Sequence, residues 1–276
     1  MRARGALAGQ SQCHAEKLNA LLGGFGHHSA CDSATVSTLP PWLARARSRT
    51  TILIKYIGSK RALLTHITGV IDQLMPVGGL AVDLFSGTSR VGHALKGMGH
   101  RVWSNDQNAY AHTLATCYVQ ADLEEWESDA RKILSELGKL PGKPGYFTDT
   151  FCEKSRYFQP KNGARIDAMR DRIESLELPP ELKAIVLVSL MEAADRVDST
   201  TGVQMAYLKQ WAARSHNDIE LRMPAVQPRV SGGKCIATQA DAEEISSEIV
   251  ADVAYLDPPY NQHSYLGNYH IWETLV

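Results

Sequence analysis

Apolar and polar residues change their spacing several times along the chain, and each change predicts a new element. Residues 60–74 carry apolar side chains at helical spacing and predict a helix with Ser59 as its N-cap. The continuous apolar run 80–85 (LAVDLF) is typical of a buried strand, 91–99 of a helix and 100–106 of a second strand. This order predicts an α/β fold with a doubly wound, mostly parallel, Rossmann-like sheet.

The middle of the chain has a different pattern. Residues 110–138 predict helical structure, and 141–165 are rich in loop-forming residues. Two helical runs follow at 165–177 and 181–195, and then 196–235 mixes polar residues, Gly and Pro without a clear strand. We therefore expect a helical and irregular insertion between the strands of the sheet.

The first 50 residues stand apart in composition and charge. Residues 1–49 hold six Lys/Arg and two Asp/Glu, a net charge of +4, whereas the remainder holds 23 and 28, a net charge of -5. They predict a disordered or non-native leader, the alternative being a basic arm whose only support is the cluster Arg45, Arg47 and Arg49. Because the whole chain carries a net charge of -1, any contact with nucleic acid has to come from a local patch.

Cysteine spacing and hydropathy restrict the cellular setting. The five cysteines form no CxxC pair, which makes a zinc site improbable and suits a reducing compartment. No apolar run approaches the roughly 20 residues that a membrane span needs, and the N-terminus lacks the apolar core of a secretory signal. The sequence predicts a soluble, cytoplasmic protein that contacts no membrane.

The first motif with chemical meaning is the turn after the first strand, Asp83-Leu-Phe-Ser-Gly-Thr-Ser-Arg-Val-Gly92. Small residues between a strand and a helix let backbone N–H groups approach a ligand, and Asp106 at the end of the next strand is suited to the ribose hydroxyls of a nucleoside. The alternative is an ordinary turn with Asp106 as a helix cap. Ser89 stands where a dinucleotide motif would have a second Gly, which favours a nucleoside cofactor without a pyrophosphate.

The second motif, Asp257-Pro-Pro-Tyr260, follows the apolar strand in 250–260 and is more specific. An exocyclic amino group on a base is a poor nucleophile, and a carboxylate with a nearby backbone carbonyl can accept hydrogen bonds from it. Proline stiffens the turn that aims the Pro258 carbonyl, and Tyr260 offers a face for a flipped base. The alternative is a tight turn with a surface tyrosine.

Four separated motifs together resemble one enzyme family. KYIGSKRALL, DLFSGTSRVG with SND, the stretch 189–211 and DPPYNQHSY…NYHIWETL are similar, in this order, to the D12 class of adenine-specific (N6) DNA methyltransferases, over about 52–276. The resemblance implies the fold of class I methyltransferases and S-adenosylmethionine as the cofactor. Alone, the segment 55–60 would be read as a helix N-terminus with basic flanks.

The resemblance also implies a role for each matching residue. The expected cofactor-binding residues are Tyr56, Lys60, Asp83, Phe85, Ser86, Gly87, Asp106 and, less directly, Asp241. The expected catalytic residues are Asp257, Pro258, Pro259 and Tyr260, with Asn261 and 268–270 on the same side. No metal is expected.

These roles divide the chain into parts. Residues 51–140 would be the cofactor-binding half, 141–235 the target-recognition insertion and 236–276 the catalytic part. The family fold continues beyond the helix that follows DPPY, so the resemblance implies missing C-terminal strands and an exposed sheet edge with apolar surface.

The function predicted from the sequence is methyl transfer to N6 of a flipped adenine in double-stranded DNA, in a restriction-modification or epigenetic context. A cognate restriction endonuclease is a candidate partner. Methylation of RNA adenine or of cytosine N4 is an alternative, as is an inactive binding remnant. The candidate DNA contacts in the insertion are Lys143, Lys154, Arg156, Lys161, Arg165, Lys209, Arg214 and Arg222.

Overall fold

The computed structural model describes residues 54–55, 60–75, 78–259 and 265–276. Its strands are β1 Leu80–Asp83, β2 Arg101–Asn105, β3 Ile236–Thr238 and β4 Val253–Tyr255. Its α-helices are α1 Leu64–Leu74, α2 Arg90–Gly97, α3 Ala109–Ala115, α4 Leu123–Leu137, α5 Tyr146–Thr148, α6 Pro160–Ser175, α7 Pro180–Val197, α8 Ala242–Ser246 and α9 Tyr265–Leu275. The predicted cap Ser59 and the leader 1–50 lie outside the described residues.

The four strands form one parallel sheet in the order β3-β2-β1-β4. In the register, Asp83 lies beside Ser104 of β2 and Tyr255 of β4. All four carboxyl ends therefore meet at one edge of the sheet, where ligands bind in open α/β folds. The α/β class and the parallel sheet are confirmed; β3 and α8 are elements that the sequence pattern did not predict.

The strand β4 forms one edge of this sheet. Its neighbours Val250 and Leu256 are 89% and 59% exposed. An edge strand with exposed apolar neighbours is a surface to which another strand can add.

The prediction that 110–138 is helical is confirmed for most of its length, but the stretch is not one continuous helix. The helix α3 runs into a π-helical segment, Thr116–Gln120, and the chain breaks before α4. Lys96 is 2% exposed, and its ammonium donates to the carbonyls of Val119 (2.8 Å) and Ala121 (2.7 Å) and to Asp122 Oδ1 (2.9 Å). Lys96 of α2 thus binds the carbonyls of Val119 and Ala121, which would otherwise accept hydrogen bonds from the next turn of a continuing helix.

The stretch predicted as loop, 141–165, also contains helical structure. It holds α5, a second π-helical segment Asp149–Glu153 and the first turn of α6, which begins with Pro160 at a position where proline is favoured. The carboxylate of Asp167 accepts hydrogen bonds from the backbone amides of Gly145, Phe147 and Thr148 at 2.8–2.9 Å. This capping comes from α6, so local composition could not reveal it.

The hydrophobic core has two parts. A smaller cluster packs α1 and α2 against the sheet through Ile71, Leu95 and Val102. The larger one surrounds α7, whose residues are almost all buried and which contacts α3, α4, α6 and α9. Because α7 comes from the predicted insertion, that insertion shares its core with the helices that follow β2. No helix among the described residues is long and apolar enough to cross a membrane.

Candidate active site

The first and last motifs of the chain meet at the carboxyl edge of the sheet. The turn after β1 and the corner after β4 are neighbours because Leu84 N donates to Tyr255 O at 3.3 Å. There the ammonium of Lys60 lies 2.7 Å from Asp257 Oδ2, with the two side chains 19% and 29% exposed. The structure therefore brings together a residue expected near the cofactor and one expected to act on the base.

Asp83 ends β1 in a buried position, with only 1% of the residue exposed. Burial and the nearby charges of Asp106 and Asp257 raise its pKa to about 7, although the Gly92 backbone amide acts in the opposite direction. Its Oδ1 has no hydrogen-bond partner among the described residues. A buried carboxylate oxygen without a donor is costly, and a cationic ligand would satisfy it.

The turn that follows has a backbone suited to close approach. Gly87 and Ser89 have φ angles of 50° and 56°, in the left-handed region that favours glycine. The hydroxyls of Ser86 and Ser89 are buried and have no partner among the described residues, and Phe85 is half-buried. A serine thus stands at position 89 in a backbone conformation that favours glycine.

Asp106 links the two turns at this edge. Its Oδ2 accepts from Gly87 N at 2.8 Å, and its Oδ1 accepts from Asn108 N (3.0 Å) and Nδ2 (2.9 Å). A carboxylate can accept about four hydrogen bonds, so one acceptor position remains for a ribose hydroxyl. The hydrogen bonds to Asn108 fit the interpretation of Asp106 as a residue that orders the start of α3, and its contact with a ribose stays a prediction.

Asp241 has a structural role that spacing did not reveal. It is exposed, and its side chain caps α8 by accepting from Glu243 N at 2.8 Å. The preceding residue, Ala240, is fixed to the sheet edge because its carbonyl accepts from Asn105 Nδ2 at 3.1 Å. The contact expected between Asp241 and the adenine of the cofactor stays a prediction.

Two residues that hold the site together were missed. Asn105 is fully buried and also donates to Leu84 O at 3.3 Å, so it connects the ends of β1 and β2 to the 240 loop. On α9, Glu273 accepts from the backbone amides of Ala109 and Tyr110, while burial raises its pKa. A polar residue inside an apolar strand was the only sequence signal for Asn105, and Glu273 gave none.

The remaining expected residues lie in, or next to, segments outside the described residues. Pro258 and Pro259 are exposed and follow β4 without regular structure. Tyr56, Tyr260 and Asn261 lie outside the described residues. Asn268 and Tyr269 are buried in α9, so of 268–270 only His270 is partly exposed.

The charge balance of this edge favours a cation. Asp106 and Asp257 both act on Asp83, and Glu273 is close enough to Asp106 to respond to its charge. Within the described ranges, no group of three or more His, Cys, Asp or Glu side chains has a geometry that could hold a metal ion. The cation that the structure does supply is Lys60, and a ligand with further positive charge would fit the excess of carboxylates.

The family of the chain is decided by comparison with known proteins. The model of the D12 class N6 adenine-specific DNA methyltransferases matches residues 56–276. The chain belongs to this family. Members of this family use S-adenosylmethionine, which carries a sulfonium and an ammonium group.

Individual relatives agree with this assignment. The chain is 32% identical over 238 residues to the type II methyltransferase M.NlaIII of Neisseria lactamica, covering 81% of this chain and 69% of that protein. It is 30% identical to the modification methylase StsI of Streptococcus sanguinis and to the type II methyltransferase M.FokI of Planomicrobium okeanokoites. Those matches cover 81% of this chain but only 36% and 37% of the relatives. The chain thus spans about two thirds of one relative and little more than a third of the others.

Proposed function

We propose that this chain transfers a methyl group from S-adenosylmethionine to N6 of a flipped adenine in double-stranded DNA. The observation that carries the proposal is the 2.7 Å ion pair of Lys60 with Asp257, next to the buried Asp83 whose Oδ1 has no partner among the described residues. The residue proposed to bind a cationic ligand, Asp83, and the residue proposed to act on the base, Asp257, thus lie at the same edge of the sheet.

The cofactor would be held by the turns after β1 and β2. Asp83 would accept a hydrogen bond from the ammonium group of the cofactor, and Asp106 would accept one from a ribose hydroxyl. The backbone of Ser86 and Gly87 would contact the cofactor from the turn after β1. Tyr56, Lys60 and Phe85 would complete the methionine end, and Asp241 the adenine end. When bound, the cofactor supplies an electrophilic methyl group on positively charged sulfur.

Asp257 would act on the target base. The lone pair of an adenine amino group is delocalised into the ring, so acceptors that take its hydrogen bonds make the nitrogen a better nucleophile. The Asp257 carboxylate and the Pro258 carbonyl are the proposed acceptors, with Pro259 stiffening the turn and Tyr260 stacking on the base. Lys60 is a positioning residue here, since its ion pair fixes the Asp257 carboxylate.

The division into a cofactor half (51–140), a recognition insertion (141–235) and a catalytic part (236–276) is part of the proposal. Because α7 is buried among other helices, we expect the DNA contacts of the insertion to come from the surface segments that precede α6 and follow α7 in the chain. Of the candidate contacts, four are already ion-paired with carboxylates, namely Lys154, Lys161, Arg214 and Arg222. They are the weaker candidates.

A restriction-modification role follows from the names of the relatives, which are type II methyltransferases and modification methylases. We propose that the chain protects DNA in the cytoplasm from a cognate restriction endonuclease. Adenine methylation in RNA and methylation of cytosine N4 use the same kind of acceptor groups, so they are outcomes of the test below.

The test is transfer of tritium from labelled cofactor to unmethylated double-stranded DNA, to RNA and to no acceptor, followed by digestion and identification of the labelled nucleoside. We expect label in N6-methyldeoxyadenosine. Asp257→Asn should lower the rate by about 100-fold or more, as expected for loss of a preorganised polar group. The matched control is Glu244→Gln, which removes an exposed carboxylate from α8. Label in cytosine or RNA, or equal rates for wild type and Asp257→Asn, contradicts the proposal.

A further inference from the structure

Two segments without acidic residues lie side by side on the helical part of the molecule. Residues 154–165 hold four Lys/Arg and no Asp/Glu, and residues 199–217 hold two Lys/Arg and no Asp/Glu. They are joined by hydrogen bonds from Ser199 N to Tyr157 O (2.7 Å) and from Lys161 Nζ to His216 O (2.8 Å). In a chain whose residues beyond 49 carry a net charge of -5, this juxtaposition concentrates positive charge locally.

Three of these six cations, Arg156, Arg165 and Lys209, have no acidic partner among the described residues, and Arg165 donates instead to the carbonyls of Ile219 and Gly138. Within the described part of the chain, neither Arg156 nor Lys209 has a carboxylate at ion-pair distance, whereas their neighbours Lys154, Lys161 and Arg214 each pair with an aspartate. The Arg156 guanidinium lies 4.7 Å over the Trp211 ring and donates to the Lys209 carbonyl at 2.6 Å. The Arg156 guanidinium is therefore held in place by the Trp211 ring and the Lys209 carbonyl, and it has no carboxylate partner among the described residues.

Aromatic rings complete this surface, which we call the Arg156 patch: Arg156, Tyr157, Tyr207, Lys209 and Trp211. Tyr157 and Tyr207 pack edge to face at 5.1 Å, and Tyr207 is 41% exposed. Rings and cations that alternate on one surface are typical of nucleic-acid contacts, because both phosphates and sugars or bases find partners.

The Arg156 patch is attached to the helix that follows the catalytic corner. The ring of Tyr157 is 5.7 Å from that of His270 on α9. Beside it, Gln204 N donates to Asn268 O at 3.0 Å, and Gln204 Oε1 accepts from Ile271 N at 2.9 Å. The patch is therefore fixed to α9, the helix that follows the Asp257 corner in the chain.

The same segment is also tied to the residue that precedes Tyr56. The Lys55 ammonium pairs with Asp198 at 2.9 Å, and Asp198 pairs with Arg214 at 2.6 Å. The 199–217 segment is thus held both by Lys55 and by α9, which gives the patch a defined position relative to these two parts of the chain.

We propose that the Arg156 patch binds the sugar–phosphate backbone of double-stranded DNA next to the target adenine. This inference rests on the proposed function and names the surface that would hold its substrate. A duplex carries one negative charge per about 1.7 Å of its axis, so two cations without a carboxylate partner among the described residues are complementary to it. Contacts to phosphates carry no sequence information, so the patch contributes affinity and not recognition of the target sequence.

The test measures binding of a fluorescent duplex of arbitrary sequence by anisotropy between 50 and 200 mM NaCl. Each lost phosphate contact lowers the slope of log K against log salt by about 0.9. We expect a slope smaller by about 2 for Arg156→Gln/Lys209→Gln, and an unchanged slope for Arg156→Lys, which keeps the charge. The control Lys183→Gln removes one cation at the other end of α7, where Lys183 pairs with Glu174 at 2.9 Å, and should leave the slope unchanged.

Cofactor affinity, measured by calorimetry on the same variants, separates a local effect from misfolding, and we expect it to be unchanged. Equal slopes for the double variant and Lys183→Gln overturn the inference, as does a loss of slope seen with RNA but not with DNA. The proposed function is tested separately by methyl transfer of the wild-type chain. If the wild type methylates DNA while the slopes are equal, the inference alone fails; if it methylates nothing while the slope falls, the proposed function alone fails.

Discussion

Cofactor affinity should depend on pH through Asp83. This carboxyl is 1% exposed, and burial together with Asp106 and Asp257 raises its pKa to about 7. We propose that its ionised form accepts from the cofactor ammonium, so the neutral form binds poorly. Affinity should therefore be full above pH 7 and decline as the pH falls through 7.

The magnitude follows from the shifted pKa. At pH 6, one unit below a pKa of about 7, only about a tenth of the molecules carry the charge, so the apparent Kd should be about tenfold weaker than its limit. An Asp with its ordinary value of 3.8 would give no change over this range. The α-amino group of the cofactor titrates near 8, so the informative window lies between about pH 5.5 and 7.5.

The assay is calorimetric titration with S-adenosylhomocysteine or S-adenosylmethionine across that window. Asp83→Asn should bind weakly and without this pH dependence, and the exposed-residue control Asp129→Asn should keep the wild-type profile. Lys60, Asp106 and Asp257 also lie at this edge of the sheet, but all three are still present in the Asp83→Asn variant. A wild-type Kd that is constant from pH 5.5 to 7.5, or a pH dependence that survives in Asp83→Asn, would refute the reasoning.

Two further predictions concern stability. Lys96→Met should lower the free energy of unfolding by about 3 kcal/mol, because among the described residues it leaves the fully buried Asp122 with Arg229 alone as a counter-charge, and it removes the donor to two carbonyls. Urea titration checks this value, and a loss no larger than that of the exposed Lys132→Met would contradict it. Ser89→Gly should raise the Tm by a few degrees, because it relieves a left-handed serine and removes a buried hydroxyl without a partner among the described residues; scanning calorimetry of the cofactor-free chain checks it, and a lower Tm would count against it.

Much of the sheet could be predicted from the sequence because its signals are local. The apolar run that ends at Asp83, the small-residue turn and the second strand lie within 30 residues, and the structure has β1, α2 and β2 there. The strand β3 was missed because Ile236–Thr238 is three half-buried residues long, too short for any periodicity. It is a strand because its register with Trp103–Asn105 completes the sheet.

Contacts between residues that are far apart in the chain could not be predicted from the sequence pattern. Nothing local indicates that Lys96 ends the helix after α3, or that Asp167 caps α5 from α6. The candidate site divides in the same way: motif order suggested Lys60 and Asp257, but only the fold shows that they form an ion pair. Asp241 was expected from the family resemblance; the structure adds that it caps a short helix, and its contact with the cofactor stays a prediction.

The measurement that tests the central claim most directly is a crystal structure of the chain with S-adenosylmethionine or its demethylated product bound. The account expects the ammonium of the cofactor at Asp83 Oδ1 and its sulfur facing the corner formed by Asp257 and Pro258. A cofactor bound elsewhere on the molecule, or bound at Asp83 with its sulfur turned away from Asp257, would contradict it.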